Sequence, residues 1–441
     1  MNTHVSDVRP RNGFDRLFGL EKHEYLAVAW SFIYFFCILS SYYMLRPVRE
    51  TMSAENGALN VPYLFSSTFV VMLLAAPVFG WVSSRYPRKQ FLPWVYAFFS
   101  ANLLFFWAGF TYAIENDIDY LWLGRTFFIW LSIFNLFVVS VFWSFMADIY
   151  TREQGRRLFG LISAGGSTGA LAGPFATRLL VSEIGFHNIL LISAALLFFG
   201  VYCISRLRTW VIAEHGDDPD VSIASSRPLG GSAIDGIRQA LKSRYLFSMV
   251  VVSIIASLLG TALYMFMADF VGSSDMTTNE RVETFSLIDG TTNVLSLIGQ
   301  LFLVNRSVRR FGVGMTLAIL PVVSLLGLML LAINPAFIVV AVLTAVRRGI
   351  GFGFSKPTHD MLYSVVTPSE KYKAKNFIET AVYRSGDLIG SWLIKFIWAI
   401  GISGISIVML PFGVFWVLLA LWLGRDYTRR DRLEPVADSA R

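Results

Sequence analysis

The chain has 441 residues, of which 55% are hydrophobic and only 15% charged, with 38 Phe. A soluble globular chain carries about 25% charged residues. A soluble enzyme, a disordered chain and a fibre are therefore excluded, as is a receptor with a large polar ectodomain.

Twelve apolar segments follow in chain order, at 25–44, 62–83, 91–112, 121–147, 158–181, 187–205, 245–270, 283–304, 313–333, 336–363, 376–400 and 404–424. A spanning helix needs about 20 apolar residues. The sequence thus predicts an all-α integral membrane fold of twelve transmembrane helices in two six-helix halves. Residues 1–24 read as an N-terminal tail, 25–205 and 245–424 as the halves, 206–244 as a central loop and 425–441 as a C-terminal tail. The segment holding Arg347, Arg348 and Pro357 is the least regular, and a kink or break is expected there. Cys37 and Cys203 lie in apolar runs and read as small buried hydrophobes. The first 24 residues are polar and include Asp7, Asp15, Glu21 and Glu24. They read as neither a cleavable signal peptide nor an organelle transit peptide.

Most Lys and Arg residues sit in the tails and alternate loops, such as Arg85/Arg88/Lys89, Arg152/Arg156/Arg157 and Lys371/Lys373/Lys375. The loops between hold acids, as at Glu115, Asp117 and Asp119. This asymmetry places both termini of a multi-pass membrane protein in the cytoplasm. The net charge of +7 is mostly this topological signal, dispersed over short blocks, so no nucleic acid is expected as a partner.

The halves carry a weak internal repeat. Thr151, Glu153, Arg156, Arg157 and Phe159 recur as Thr367, Glu370, Lys373, Lys375 and Phe377. Two repeats related by an axis along the membrane normal are the organisation of major facilitator transporters. Gly80-Trp-Val-Ser-Ser84-Arg85-Tyr-Pro87-Arg88-Lys89 resembles the loop between spans 2 and 3 of that class. Ser84 and Pro87 depart from its usual Asp and Gly. Gly169-Ala-Leu-Ala-Gly173-Pro174 resembles the G-x-x-x-G-P motif of its antiporters, although small residues also let helices pack closely in any membrane protein.

No enzyme site is legible. The five His are scattered and lack metal-ligand spacing, no G-x-S-x-G is present, and Gly349 to Lys356 lacks the ending of a phosphate loop. No cofactor is expected. The informative residues are charges inside the spans, each costing about 2.5–3.5 kcal/mol at a helix centre on insertion scales. They concentrate on spans 1, 10 and 11. Arg46, Arg49, Arg347, Arg348, Lys356 and Arg384 are the expected substrate-binding residues, because guanidinium forks match phosphate or carboxylate oxygens in pairs. Glu50, Glu153, Arg157, Glu370, Lys375, Glu379 and Asp387 are the expected coupling or gating residues. Arg125, Arg178, Arg281 and Lys395 read as snorkelling near an interface.

Three stretches resemble a narrower family, the ATP/ADP (nucleotide) translocases of plastids and intracellular bacteria. Phe142-Trp143-Ser-Phe145-Met-Ala-Asp-Ile149 is similar to its F-W-x-F-A-N-x-I. Lys356-Pro357-Thr358-His359-Asp360-Met361-Leu-Tyr363 is similar to D-P-T-K-E-M-A-Y, and Tyr43-Met-Leu45-Arg46-Pro-Val-Arg49-Glu50 to Y-x-L-R-D-T-K-D. By position Arg49 keeps the charge of a family Lys, whereas Pro47 replaces an Asp and His359 a Lys. The resemblance implies exchange of ATP for ADP or import of nucleotides. Together these readings give a secondary active transporter with alternating access, moving an anionic solute, a nucleotide or another organic phosphate, by exchange. The alternative is a proton-coupled transporter of an unrelated solute, with Glu379 or Asp387 taking the proton. The expected partners are a small anion, ATP or ADP among the candidates, and the lipid bilayer; a monomer is expected. Reporter fusions after residues 117 and 215 are expected to report opposite sides of the membrane, and the same side for both would break the twelve-span topology.

Overall fold

The structure is a computed structural model that describes residues 20–85, 88–215, 243–366, 375 and 377–438. The expected residue Glu370, the 216–242 part of the central loop, and the tails 1–19 and 439–441 lie outside them, and the side chain of Glu379 is likewise not described.

Long helices follow one another. They are α1 (Tyr25–Glu55), α2 (Val61–Arg85), α3 (Arg88–Glu115), α4 (Leu121–Ile149), α5 (Arg152–Ile184) and α6 (Phe186–His215), then α7 (Arg244–Gly272), α8 (Thr278–Ile298), α9 (Val304–Ile333), α10 (Phe337–Ile350), α11 (Tyr383–Phe396) and α12 (Gly401–Asp438). Among the described residues, nine segments are long and apolar enough to cross a membrane. That measure does not establish the expected count of twelve. The apolar run of α5 is diluted by Gly, Ser and Thr, α11 is short, and Thr278–Ile333 counts as one length. This last stretch bends at Gly312, whose φ of 78° is open to glycine at little cost.

Several helices overrun the apolar runs that announced them. α1 continues to Glu55 rather than stopping at residue 44. Pro47 sits inside it, so the Tyr43 carbonyl loses its usual amide partner. Arg46, Arg49 and Glu50 are consequently helical residues within the protein rather than the frayed end of a span. α5 begins at Arg152 because Thr151 caps it, accepting from the Gln154 amide, while the Gln154 side chain returns a bond to the Thr151 amide. The expected irregularity after Arg347 and Arg348 is a π-helical turn, Gly351–Ser355, leading into a short helix, Lys356–Met361. It abuts a second π-turn, Gly299–Leu303, at the end of α8. A Cβ on Gly299 would lie 3.0 Å from the Gly353 Cα, so the two widened turns nest only because both positions lack side chains.

Each half has its own apolar core. One is built almost wholly from residues 20–207 and the other from residues 245–423. Large apolar side chains such as Phe105, Leu179, Ile333 and Phe396 point outward, as a lipid-facing surface requires.

Within the first half, α5 lies against α1 along a glycine stripe. A Cβ on Gly165 would fall 2.3 Å from the Phe32 carbonyl oxygen, on Gly169 2.5 Å from that of Phe36, and on Gly173 2.9 Å from that of Ser40. One turn further, Thr177 donates to the Met44 carbonyl at 3.2 Å. The G-x-x-x-G-P motif therefore acts here as a helix-packing surface. The second half repeats the contact: Gly386 and Gly390 of α11 face Ser257 and Leu258 of α7. They stand 217 positions after Gly169 and Gly173.

Because the obstacle at Gly169 is backbone, a side chain there forces the helices apart. Gly169→Val is expected to cost about 1–3 kcal/mol, seen as a lower thermal midpoint of the purified protein, whereas Gly160→Ala, with open space around it, does not lower the midpoint, since Ala suits a helix better than Gly.

Candidate functional site

Between the halves lies a cavity of about 250 Å³, lined from both sides. α1 contributes Tyr42, Arg46, Arg49 and Glu50, and α10 contributes Thr344, Arg347 and Arg348. α11 contributes Tyr383, Arg384 and Asp387. Phe65, Phe69, Phe128, Tyr264 and Phe285 complete much of the wall. Five of the six expected substrate-binding residues thus meet in one space. The sixth does not line it: Lys356 is 48% exposed and 4.0 Å from Asp360, beyond the π-turn.

The five arginines are held differently. Arg348 Nη1 is 2.9 Å from Asp289 Oδ1. Arg46 Nε is 3.5 Å from the other oxygen of Asp289 and 3.7 Å from Glu50 Oε1. Asp289, on α8 and only 2% exposed, therefore joins a guanidinium of each half. Arg49 lies with its guanidinium carbon 4.3 Å from the Phe128 ring centre, and its Nε is buried with no hydrogen-bond partner. Arg347 is 9% exposed and turned into the second half. It donates from Nε to Ser324 Oγ at 3.2 Å and from Nη2 to the Ala256 carbonyl oxygen. Gly260 allows this, since a Cβ there would lie 3.0 Å from Arg347 Nη1. Asp387 Oδ1 accepts from Ser257 at 2.5 Å and from Thr261 at 3.3 Å. Asp289 was legible as a charge inside a span, but its pairing spans 243 positions of sequence from Arg46 and had no local signal.

At the Glu55 end the halves are stapled together. Arg281 is 3.4 Å from Glu55 and donates to the carbonyls of Gly272 and Ser274. Thr278 donates to Glu55 at 2.7 Å and is bonded to Tyr120. Arg125 donates to Asn56 at 2.6 Å and stacks over Trp122. Lys395 sits 4.1 Å from the Tyr63 ring centre, across the halves. Arg125, Arg281 and Lys395 thus make specific inter-helix contacts. Arg178 pairs with Glu283 at 3.4 Å.

The expected gating residues of the other end lie outside the cavity lining. Arg157 binds Glu24 at 2.9 Å, which also accepts from Gln154, so the start of α5 is tied to the start of α1. Glu153 is exposed in the first turn of α5. Lys375 is 2.8 Å from Asp360.

Two cored halves with an internal, charged cavity between them define a multi-pass membrane transporter. The profile described as Major Facilitator Superfamily matches residues 30–386, and the chain belongs to that superfamily. It is 21% identical to ADP,ATP carrier protein 2 of Chlamydia pneumoniae, over 96% of this chain and 93% of the carrier. Among solved structures it resembles a bacterial homologue of the iron transporter ferroportin in its inward-facing state (TM-score 0.63, 12% identity, 92% and 98% of the two chains). It also resembles the nucleoside transporter NupG (0.56, 16%, 91% and 98%). At these identities the structural likenesses establish the fold alone.

The contrast among the arginines gives a stability prediction. Arg347→Ala removes both donors from the Ala256 carbonyl and Ser324 inside the second half, and is expected to lower stability by about 1.5–3 kcal/mol, the range for hydrogen bonds to charged groups. Arg384→Ala, facing the cavity, is expected to leave the thermal midpoint within a degree or two of wild type on the usual scale for substitutions away from such networks.

Proposed function

We propose that this transporter moves an anionic solute, a nucleotide or other organic phosphate, by exchange in an alternating-access cycle. The carrying observation is the cavity lining: Arg46, Arg49, Arg348 and Arg384 face one space, Arg347 lines it while bonding into its own half, and the lining carboxylates are Glu50 and Asp387. Even with Asp289 behind the wall, cations exceed anions. Arginines held inside an apolar slab at such cost favour a ligand that brings negative charge. Phosphate suits guanidinium forks, which bond its oxygens in pairs. The aromatic rings of Tyr42, Phe65, Phe128 and Tyr264 beside them fit a ligand with a planar ring as well as a charge. The distant likeness to an ADP,ATP carrier supports the same class.

In this reading the Glu55–Arg281–Thr278 cluster closes one face, and the charge pairs around Arg157 and Lys375 belong to the opposite face, on the side of both termini. The basic loops support a cytoplasmic position for that side, and the likeness to a bacterial carrier supports the inner membrane of a bacterium. Asp387, held by two hydroxyls in the same cavity, favours proton coupling as the second reading.

Liposomes carrying the purified protein separate the two. Uptake of labelled ATP is expected only into vesicles preloaded with ADP or ATP, and to persist with a protonophore. Uptake that needs no internal nucleotide and collapses with the protonophore would establish the second reading instead. Arg348→Ala and Arg384→Ala are each expected to weaken nucleotide binding about tenfold or more, the equivalent of one lost charge-assisted contact. Lys at either position restores it only in part, since an ammonium lacks the fork. Normal binding by both alanine variants would sink the anion reading.

A further inference from the structure

The Arg46–Asp289–Arg348 bridge has a second consequence. Both guanidiniums line the cavity, yet both lean on a carboxylate that does not. Asp289 sits behind the wall on α8, almost wholly buried, and no other cationic side chain of the described residues lies within ion-pair distance of it. Polar atoms in and beside the bridge stay unused: Arg348 Nη2, Asp289 Oδ2, Arg49 Nε and Glu50 Oε2 are buried with no hydrogen-bond partner. The two orphan donors, Arg348 Nη2 and Arg49 Nε, stand on residues that line the cavity, and buried donors of this kind are normally satisfied.

We propose that Asp289 is a resident counter-anion. It holds Arg46 of the first half and Arg348 of the second when the cavity contains no anion, and it gives up at least one of them when an anionic ligand enters. The inference rests on the anion reading above and adds to it a residue that sets affinity from outside the lining. The ligand oxygens take the spare donors of Arg348 and Arg49 first, then compete for the guanidinium edges that Asp289 occupies. Because the bridge crosses between the halves, ligand entry also loosens the contact between them at mid-depth. Asp289 is in this sense a positioning residue, and its carboxylate works against binding. A structural residue that merely aims Arg348 at the ligand would work for it.

The two roles differ in sign, and binding to the purified full-length carrier reads that sign. The probe is inorganic pyrophosphate, measured by calorimetry on wild type and on Asp289→Asn, which keeps the shape and removes the charge. The expected result is a dissociation constant about tenfold lower in the variant, since a competing charge-assisted contact of 1.5–3 kcal/mol has been removed. The ligand-free variant should melt at a lower temperature than wild type, and saturating pyrophosphate should raise its midpoint by more than it raises that of wild type. If Asp289→Asn cannot be purified folded, Asp289→Ser removes the carboxylate with less bulk and carries the same expectation. Unchanged or weaker binding in the folded variant overturns the proposal while leaving the anion reading intact. Failure of wild type and variant alike to bind pyrophosphate, ATP or ADP sinks the anion reading itself.

Discussion

A charged side chain inside a hydrocarbon slab must find a partner or a wet space, and this requirement organises the molecule. Five arginines lie well within the helical body, and they answer the requirement in four ways. Arg347 is absorbed by a backbone carbonyl and a serine of its own half. Arg46 and Arg348 share one aspartate across the interface between halves. Arg49 rests on an aromatic face, and Arg384 faces the cavity. The same positive charge serves as staple or bridge, or stays open to the cavity, according to what lies within a few ångströms.

The cavity exists because the helices around it can be held without filling it. Glycine stripes bring α5 against α1 and α11 against α7 at backbone distance. Packing of this kind needs no polar side chain at the contact. The charged faces of α1, α10 and α11 are thus left for the space between the halves. The polar staple at Glu55, Arg281 and Thr278 then joins the halves at one end. Rigid halves, a charged space between them and a breakable polar seam are the parts a rocking transporter needs.

The departures from the translocase pattern fall where the geometry is local. Pro47 stands between Arg46 and Glu50 in α1, so that turn keeps its charges while losing a backbone bond. His359 lies beyond the π-turn, away from the cavity lining.

Much of this was legible in the sequence. Long apolar runs leave no choice but helices, because backbone groups in lipid must bond within their own segment. Charges interrupting such runs stood out, and five of the six arginine and lysine positions singled out for the substrate do meet in one cavity. Helix ends were less legible: α1 runs eleven residues past its apolar stretch because Arg46, Arg49 and Glu50 are sheltered by other helices. Lys356 looked equivalent to its neighbours, but the π-turn at Gly351–Ser355 shifts the phase of the helix between Arg348 and Lys356. Only the tertiary structure decided the partners. Nothing in the residues around Asp289 announces two arginines from distant helices, because an ion pair between separate segments depends on where the segments pack and leaves no periodicity in either one. Composition and patterning determined that the chain crosses a membrane and carries buried cations. The packing of one half against the other decided which of those cations face a common space.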